Sequence, residues 1–333
     1  MRRVGTTSWW LAGAGLLLAF ALLLLAQPAD VVALARRAHW AGLLAALAGT
    51  AALAALRGAR LAILAGGKVR LARASAVAAV AQAATGVLPL RLGELAMIPL
   101  LQAAGLPGAI RAVSVLVLAR VLDVVAVLLW ATAGGAFVGG KPLLAVALLA
   151  AVAALLGAAW AALIAGVRRI AARWRGAGGW RRAALRQLLV VRREIAALAR
   201  SPVRASAAVL ASLATWAMIW AVTMVLLGAM GLDWPPLPVM AGVVGAALGS
   251  AVPITSVGSF GTQEAGWAAA LAGVGISPRT ALAAGFACHL WSIGFALVVG
   301  GVSLAYLAAA RPEPASRPFL AALRNALRPD RRP

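Results

Sequence analysis

Residues 251–264 read AVPITSVGSFGTQE, and they sit in the middle of an apolar stretch running from 237 to 275. A helix does not pass through such a segment unbroken. Proline removes a backbone hydrogen bond and collides with the preceding turn, and glycine lets the chain turn tightly. A second apolar stretch, 75–106, is broken in the same way at residues 85–94, TGVLPLRLGE. Each stretch is therefore expected to fold as two half-helices meeting at an irregular turn, a re-entrant hairpin. The two breaks share their spacing. Glu94 precedes Gly105 and Pro107, Glu264 precedes Gly275 and Pro278, and the glutamate-to-glycine step is eleven residues in both.

Around these hairpins lie six unbroken apolar blocks, 9–26, 40–56, 112–133, 143–167, 205–230 and 280–309. About 20 apolar residues are enough for a helix to cross a bilayer. The whole chain of 333 residues is 64% hydrophobic and 12% charged, with a mean hydropathy of +0.96. That composition would leave a soluble protein with far too much exposed apolar surface, so the fold class is an all-α polytopic membrane protein. Six transmembrane helices and two re-entrant helical hairpins are expected. The amino terminus reads as a retained first span, because no small-x-small cleavage site precedes polar sequence.

Charge orients the chain. There are 31 Lys and Arg against 8 Asp and Glu, a net charge of +23. In a membrane protein such an excess reports topology, and no nucleic acid partner is inferred. With the amino terminus in the cytoplasm and both hairpins returning to their side of entry, 25 basic residues fall on the cytoplasmic side and four outside. Arg57 and Arg60 are counted with the cytoplasmic group, whereas Arg91 and Arg120 stay at membrane depth. Three spans separate the hairpins, which must then face opposite ways. The chain divides into residues 1–133 and 143–309 as two inverted units, followed by a basic cytoplasmic tail, 311–333. Broken helices in inverted repeats are a transporter architecture. Residues 168–204 form a basic cytoplasmic segment in which Trp180 to Arg200 has the pattern of an amphipathic helix attracted to anionic inner-leaflet lipid.

Ionisable groups at membrane depth are costly and mark a cavity or a partner. Six are expected there: Arg91, Glu94, Arg120, Asp123, Glu264 and His289. Arg120 and Asp123 are three apart on one helix face and can pair. Arg91 and Arg120 supply donors for a phosphate or another anionic head group. Glu94, Asp123 and Glu264 balance those arginines or carry protons. Gly93, Gly258 and Gly261 permit tight turns, and Gly245 and Gly249 form a small-x-x-x-small pair suited to helix packing. No catalytic motif emerges. Gly135 to Lys141 matches a phosphate-loop pattern, but Pro142 stands where Ser or Thr is required. Two histidines 250 residues apart and one cysteine, Cys288, make no zinc site. Neither a metal nor a cofactor is expected.

TGVLPLRLGELAMIPLL (85–101), VLARVLDVVAVLL (117–129) and PITSVGSFGTQEAGWAAAL (253–271) together resemble the signatures of the lysylphosphatidylglycerol synthase transmembrane-region family, or flippase-like domain proteins. The resemblance runs from about Arg57 to Tyr306. It implies a lipid-translocating domain without the aminoacyl-transfer domain of the full synthases. The matching positions are Pro89, Gly93, Glu94, Arg120, Asp123, Pro253, Gly261 and Glu264. Met97 stands near the place of an arginine common in relatives, and Ala119 at the place of an acidic residue, which points to a different head group. The Pro-Leu-Arg-Leu-Gly-Glu variant resembles members associated with hopanoid biosynthesis.

The expected function is a lipid flippase of the inner membrane, moving an anionic, polyprenyl or hopanoid-type lipid by alternating access. The alternative is a non-catalytic subunit that presents lipid to a glycosyl- or aminoacyl-transferase. A homo-oligomer or a lipid-modifying enzyme is the protein partner this reading leaves open.

Overall fold

A computed structural model describes residues 6–88, 92–139, 179–251 and 257–310, with Ala165, Gly166 and Arg169 between them. The described residues fold into eleven α-helices and one short 3₁₀ turn. The expected span 143–167, apart from Ala165 and Gly166, lies outside the described residues, as does the tail 311–333.

Helix α1 (Thr6–Ala26) ends at Gln27, where φ is 58°, and α2 (Pro28–Arg37) leaves at a bend of 74°. Pro28 enforces the break, since it cannot continue the preceding helix. Helix α3 (Trp40–Leu64) starts on His39, whose Nδ1 accepts the Gly42 N–H at 3.1 Å. It covers the expected block 40–56 and then continues for eight more residues.

The first hairpin is α4 (Leu71–Val87) with α5 (Leu92–Ala103), and α6 (Ala109–Gly139) follows it. Helix α7 (Gly179–Ala199) holds Trp180 to Arg200 except for its last residue, and α8 (Pro202–Ala229) follows after a break of two residues. The second hairpin is α9 (Pro236–Ala251) with α10 (Thr262–Ala272), linked by residues that include the 3₁₀ turn Val257–Ser259. Helix α11 (Pro278–Ala309) is capped by Ser277 with Pro278 in its first turn, a proline position where no hydrogen bond is lost.

Four of these helices are long and apolar enough to cross a membrane: α3, α8, α11 and residues 109–132 of α6. The bent pair α1–α2 brings the number to as many as five. This is a multi-pass membrane protein. The short hairpin arms, α5 with 12 residues and α10 with 11, reach only ~18 Å at 1.5 Å per residue, against ~30 Å of hydrocarbon.

Small residues let the hairpin arms close on each other. A Cβ on Gly249 would lie 2.1 Å from the Thr262 carbonyl oxygen, and one on Gly245 would lie 2.3 Å from that of Gly266. The two arms run antiparallel with their backbones in contact, and the Gly245/Gly249 pair is the seam. In the first hairpin a Cβ on Gly93 would lie 2.1 Å from the Thr85 nitrogen. The apolar core has two parts. One gathers Leu226, Val239, Trp267 and Leu282 between α8, α9, α10 and α11. The other gathers Leu61, Val77, Leu101 and Val115 between α3, α4, α5 and α6. Large apolar side chains such as Leu17, Phe20, Val203 and Val302 are exposed on the outside, where lipid would cover them.

Candidate functional site

Between the two cores lies a cavity of about 340 Å³. Its wall draws on both hairpins and on α3, α6, α8 and α11. The hairpins meet beside it at their turns. Gly258 has φ 63°, a left-handed conformation that glycine adopts without strain, and a Cβ there would lie 2.8 Å from the Gly86 carbonyl oxygen.

A charge cluster occupies one side of the cavity, with Asp123 at its centre. Arg60 contacts both carboxylate oxygens of Asp123, through Nη1 to Oδ1 and through Nη2 to Oδ2. Arg120 donates to Oδ2 at 2.9 Å, and the Trp216 indole N–H to Oδ1 at 3.3 Å. Arg120 also reaches Glu94, with Nε 3.0 Å from Oε2. The Arg60 and Asp123 side chains are 7% and 14% exposed, whereas that of Arg120 is 45% exposed. Such a pair is held by several hydrogen bonds because burial makes an unpaired charge expensive. Arg57, one turn before Arg60, donates to Gln82 at 2.5 Å and faces the same cavity. Three guanidinium groups thus surround two carboxylates among the described residues.

A second polar pair also lines the cavity. Glu264 is the third residue of α10, and its Oε2 accepts the Gly261 N–H at 2.7 Å, the glutamate half of a capping box, with no side chain on Gly261 to return the bond. Its other oxygen, Oε1, contacts His289 Nδ1. The side chains are 1% and 7% exposed, and both residues line the cavity. The ring of Phe260 packs 4.3 Å from that of His289, centroid to centroid. Gly261, with φ 94°, allows α1 to approach: a Cβ there would lie 2.8 Å from the Ala19 nitrogen.

The match to a family model now decides the relationship. The model for the lysylphosphatidylglycerol synthase TM region matches residues 11–300. This chain belongs to that family. Comparison with curated proteins and with solved structures gives no match. The synthase TM-region assignment covers both hairpins and every described residue of the cavity wall. It carries no support for a hopanoid association.

In this member of the synthase TM-region family, the structure brings Glu94, Arg120, Asp123, Gly258, Glu264 and His289 to one cavity, whereas Gly93 and Gly261 are buried and do not line it. Pro89, Arg91 and Pro253 lie outside the described residues. Arg57 and Arg60 lie in helix rather than in a loop. Counted from the sequence with the cytoplasmic loop residues, they belong to α3, and Arg60 is buried on Asp123. The signal was present: the apolar run resumes at Leu61 to Ala65 immediately after Arg60. Among the described residues no group of three or more His, Cys, Asp or Glu side chains is placed to hold a metal ion.

Proposed function

We propose that this chain is a lipid flippase of the cytoplasmic membrane that holds an anionic head group in the cavity between its hairpins while the acyl chains stay in the bilayer. The observation that carries this reading is the cluster of three guanidinium groups, Arg57, Arg60 and Arg120, gathered beside Glu94 and Asp123 at a cavity walled by both hairpins. Arginine forks suit phosphate and carboxylate oxygens. Arg57 donates to a neutral amide, Gln82, so an arriving anion displaces no carboxylate from that hydrogen bond.

The topology belongs to the same proposal: six spans, two re-entrant hairpins and an inverted repeat, with both termini cytoplasmic. Support comes from the order of elements, since α3, a hairpin and α6 are matched by α8, a hairpin and α11. The packing is reciprocal as well. Helix α11 of the second unit packs on α4 of the first hairpin, α6 of the first unit packs on α9 of the second, and α3 packs on α8. Placing Arg57 and Arg60 in the cavity leaves 23 basic residues on the cytoplasmic side against four, so the orientation argument survives.

The test is transbilayer movement of head-group-labelled lipids in vesicles containing the purified protein. The panel spans anionic, lysylated, polyprenyl-phosphate and hopanoid lipids. Selective movement of an anionic class, lost in Arg120→Ala and Glu264→Ala variants that still fold, is the expected result. Movement of no lipid by folded protein would defeat the reading and favour a subunit that presents lipid to a transferase.

A further inference from the structure

We propose that Glu264 and His289 form a proton-binding site through which lipid movement is coupled to a proton. The inference rests on the lipid-transport reading and adds to it an energy source, since the phosphate-loop-like run Gly135 to Lys141 lacks the Ser or Thr a nucleotide site requires. The pair is separate from the Asp123 cluster. It contains one carboxylate and one imidazole in mutual contact, both more than nine-tenths buried and both on the cavity wall.

Few other charges set its state. The neighbouring elements α1 and α9 carry no ionisable side chain, and the same is true of the 3₁₀ turn and of residues 252–256. Helix α4 carries Arg73 near its start, and α3 contributes Arg57 and Arg60, engaged with Gln82 and Asp123. On α11 itself, Cys288 is buried beside His289, Tyr306 lies near the far end, and Arg279 pairs with Asp30 of α2. Helix α2 also carries Arg36 and Arg37, at its last turn. Arg204 of α8 is bonded to the Ile63 carbonyl.

The proton count is simple. With its proton the pair is neutral, as carboxylic acid with imidazole or as carboxylate with imidazolium. Release of one proton to cavity water leaves a carboxylate against neutral imidazole, a net negative charge that burial makes costly. That charge also repels an anionic head group held on the arginines that line the same cavity. The anion and the proton therefore occupy the cavity together and leave together, and lipid movement follows the proton.

The test uses full-length protein in vesicles that enclose a pH-sensitive dye, with labelled anionic lipid and an imposed pH gradient. One proton per lipid predicts a shift in lipid distribution of up to about tenfold for each pH unit, away from the acidic side. Proton flux accompanies it. His289→Asn, which keeps a polar group at the Nδ1 position, and Glu264→Gln are both expected to lose proton flux. Lipid movement without proton flux in the wild type, or unchanged flux in both variants, overturns the coupling and leaves the transport reading standing. No lipid movement at all instead removes the transport reading on which the coupling rests. Nitrogen-15 signals of the two histidines, His39 and His289, provide a readout independent of transport. A His289 ring that titrates identically in wild type and Glu264→Gln contradicts the site.

Discussion

Arg60 and Asp123 lie 63 residues apart in sequence, yet the guanidinium forks onto both carboxylate oxygens and joins α3 to α6 beside the cavity. Asp123 also accepts from Arg120 and Trp216, so one carboxylate organises three donors from three helices.

Removal of that carboxylate leaves a buried guanidinium without its counter-charge. Asp123→Ala is expected to cost about 3–5 kcal/mol, the range for breaking a buried ion pair by deleting one partner. Thermal unfolding in detergent measures it, and a midpoint equal to that of the wild type would show that Arg60 finds its compensation elsewhere.

An exposed pair gives the contrasting case. Arg279 and Asp30 tie α11 to α2, with side chains 53% and 44% exposed. Water already solvates both groups, so Asp30→Asn should change stability by no more than about 1 kcal/mol. The same unfolding measurement, run beside Asp123→Ala, tests whether burial decides the difference.

The glycine seam predicts a steric effect of opposite sign to an ordinary helix glycine. Gly249→Ala places a Cβ 2.1 Å from a backbone oxygen and must push the hairpin arms apart, at a cost of about 2 kcal/mol. Gly294→Ala on α11 meets nothing within 4 Å and should gain up to about 1 kcal/mol from helix propensity. Comparing the two unfolding midpoints checks the packing of α9 on α10.

The sequence reveals the hairpins because their cause is local. Proline and glycine stop a helix wherever they stand, and the Pro-Gly-Glu spacing is visible without knowing any neighbour. Asp123 with Arg120 is legible for the same reason, as a pair three residues apart on one helix. The bend at Gln27 has a local cause in Pro28 as well, although α2 was not expected as a helix. Contacts made by tertiary packing are not legible. Glu264 meets His289 only because α10 lies against α11, and His289 alone in an apolar span gives no hint of a partner. Arg57 and Arg60 mislead for a physical reason: an arginine late in an apolar block looks like the end of a span. Here Asp123 on another helix supplies the counter-charge that lets α3 continue.

An anionic lipid head group held in the cavity between the hairpins, as proposed, should stay with the protein when the bilayer is stripped away. Native mass spectrometry of protein released from nanodiscs of mixed anionic and zwitterionic lipid reads this directly as retained lipid mass. The wild type should keep an anionic lipid. Arg57→Gln should keep it at least about tenfold less well, as expected for loss of one charged hydrogen bond worth about 1.5–3 kcal/mol. Equal retention of anionic lipid by wild type and folded Arg57→Gln, or no preference for anionic over zwitterionic lipid in either, would contradict the account.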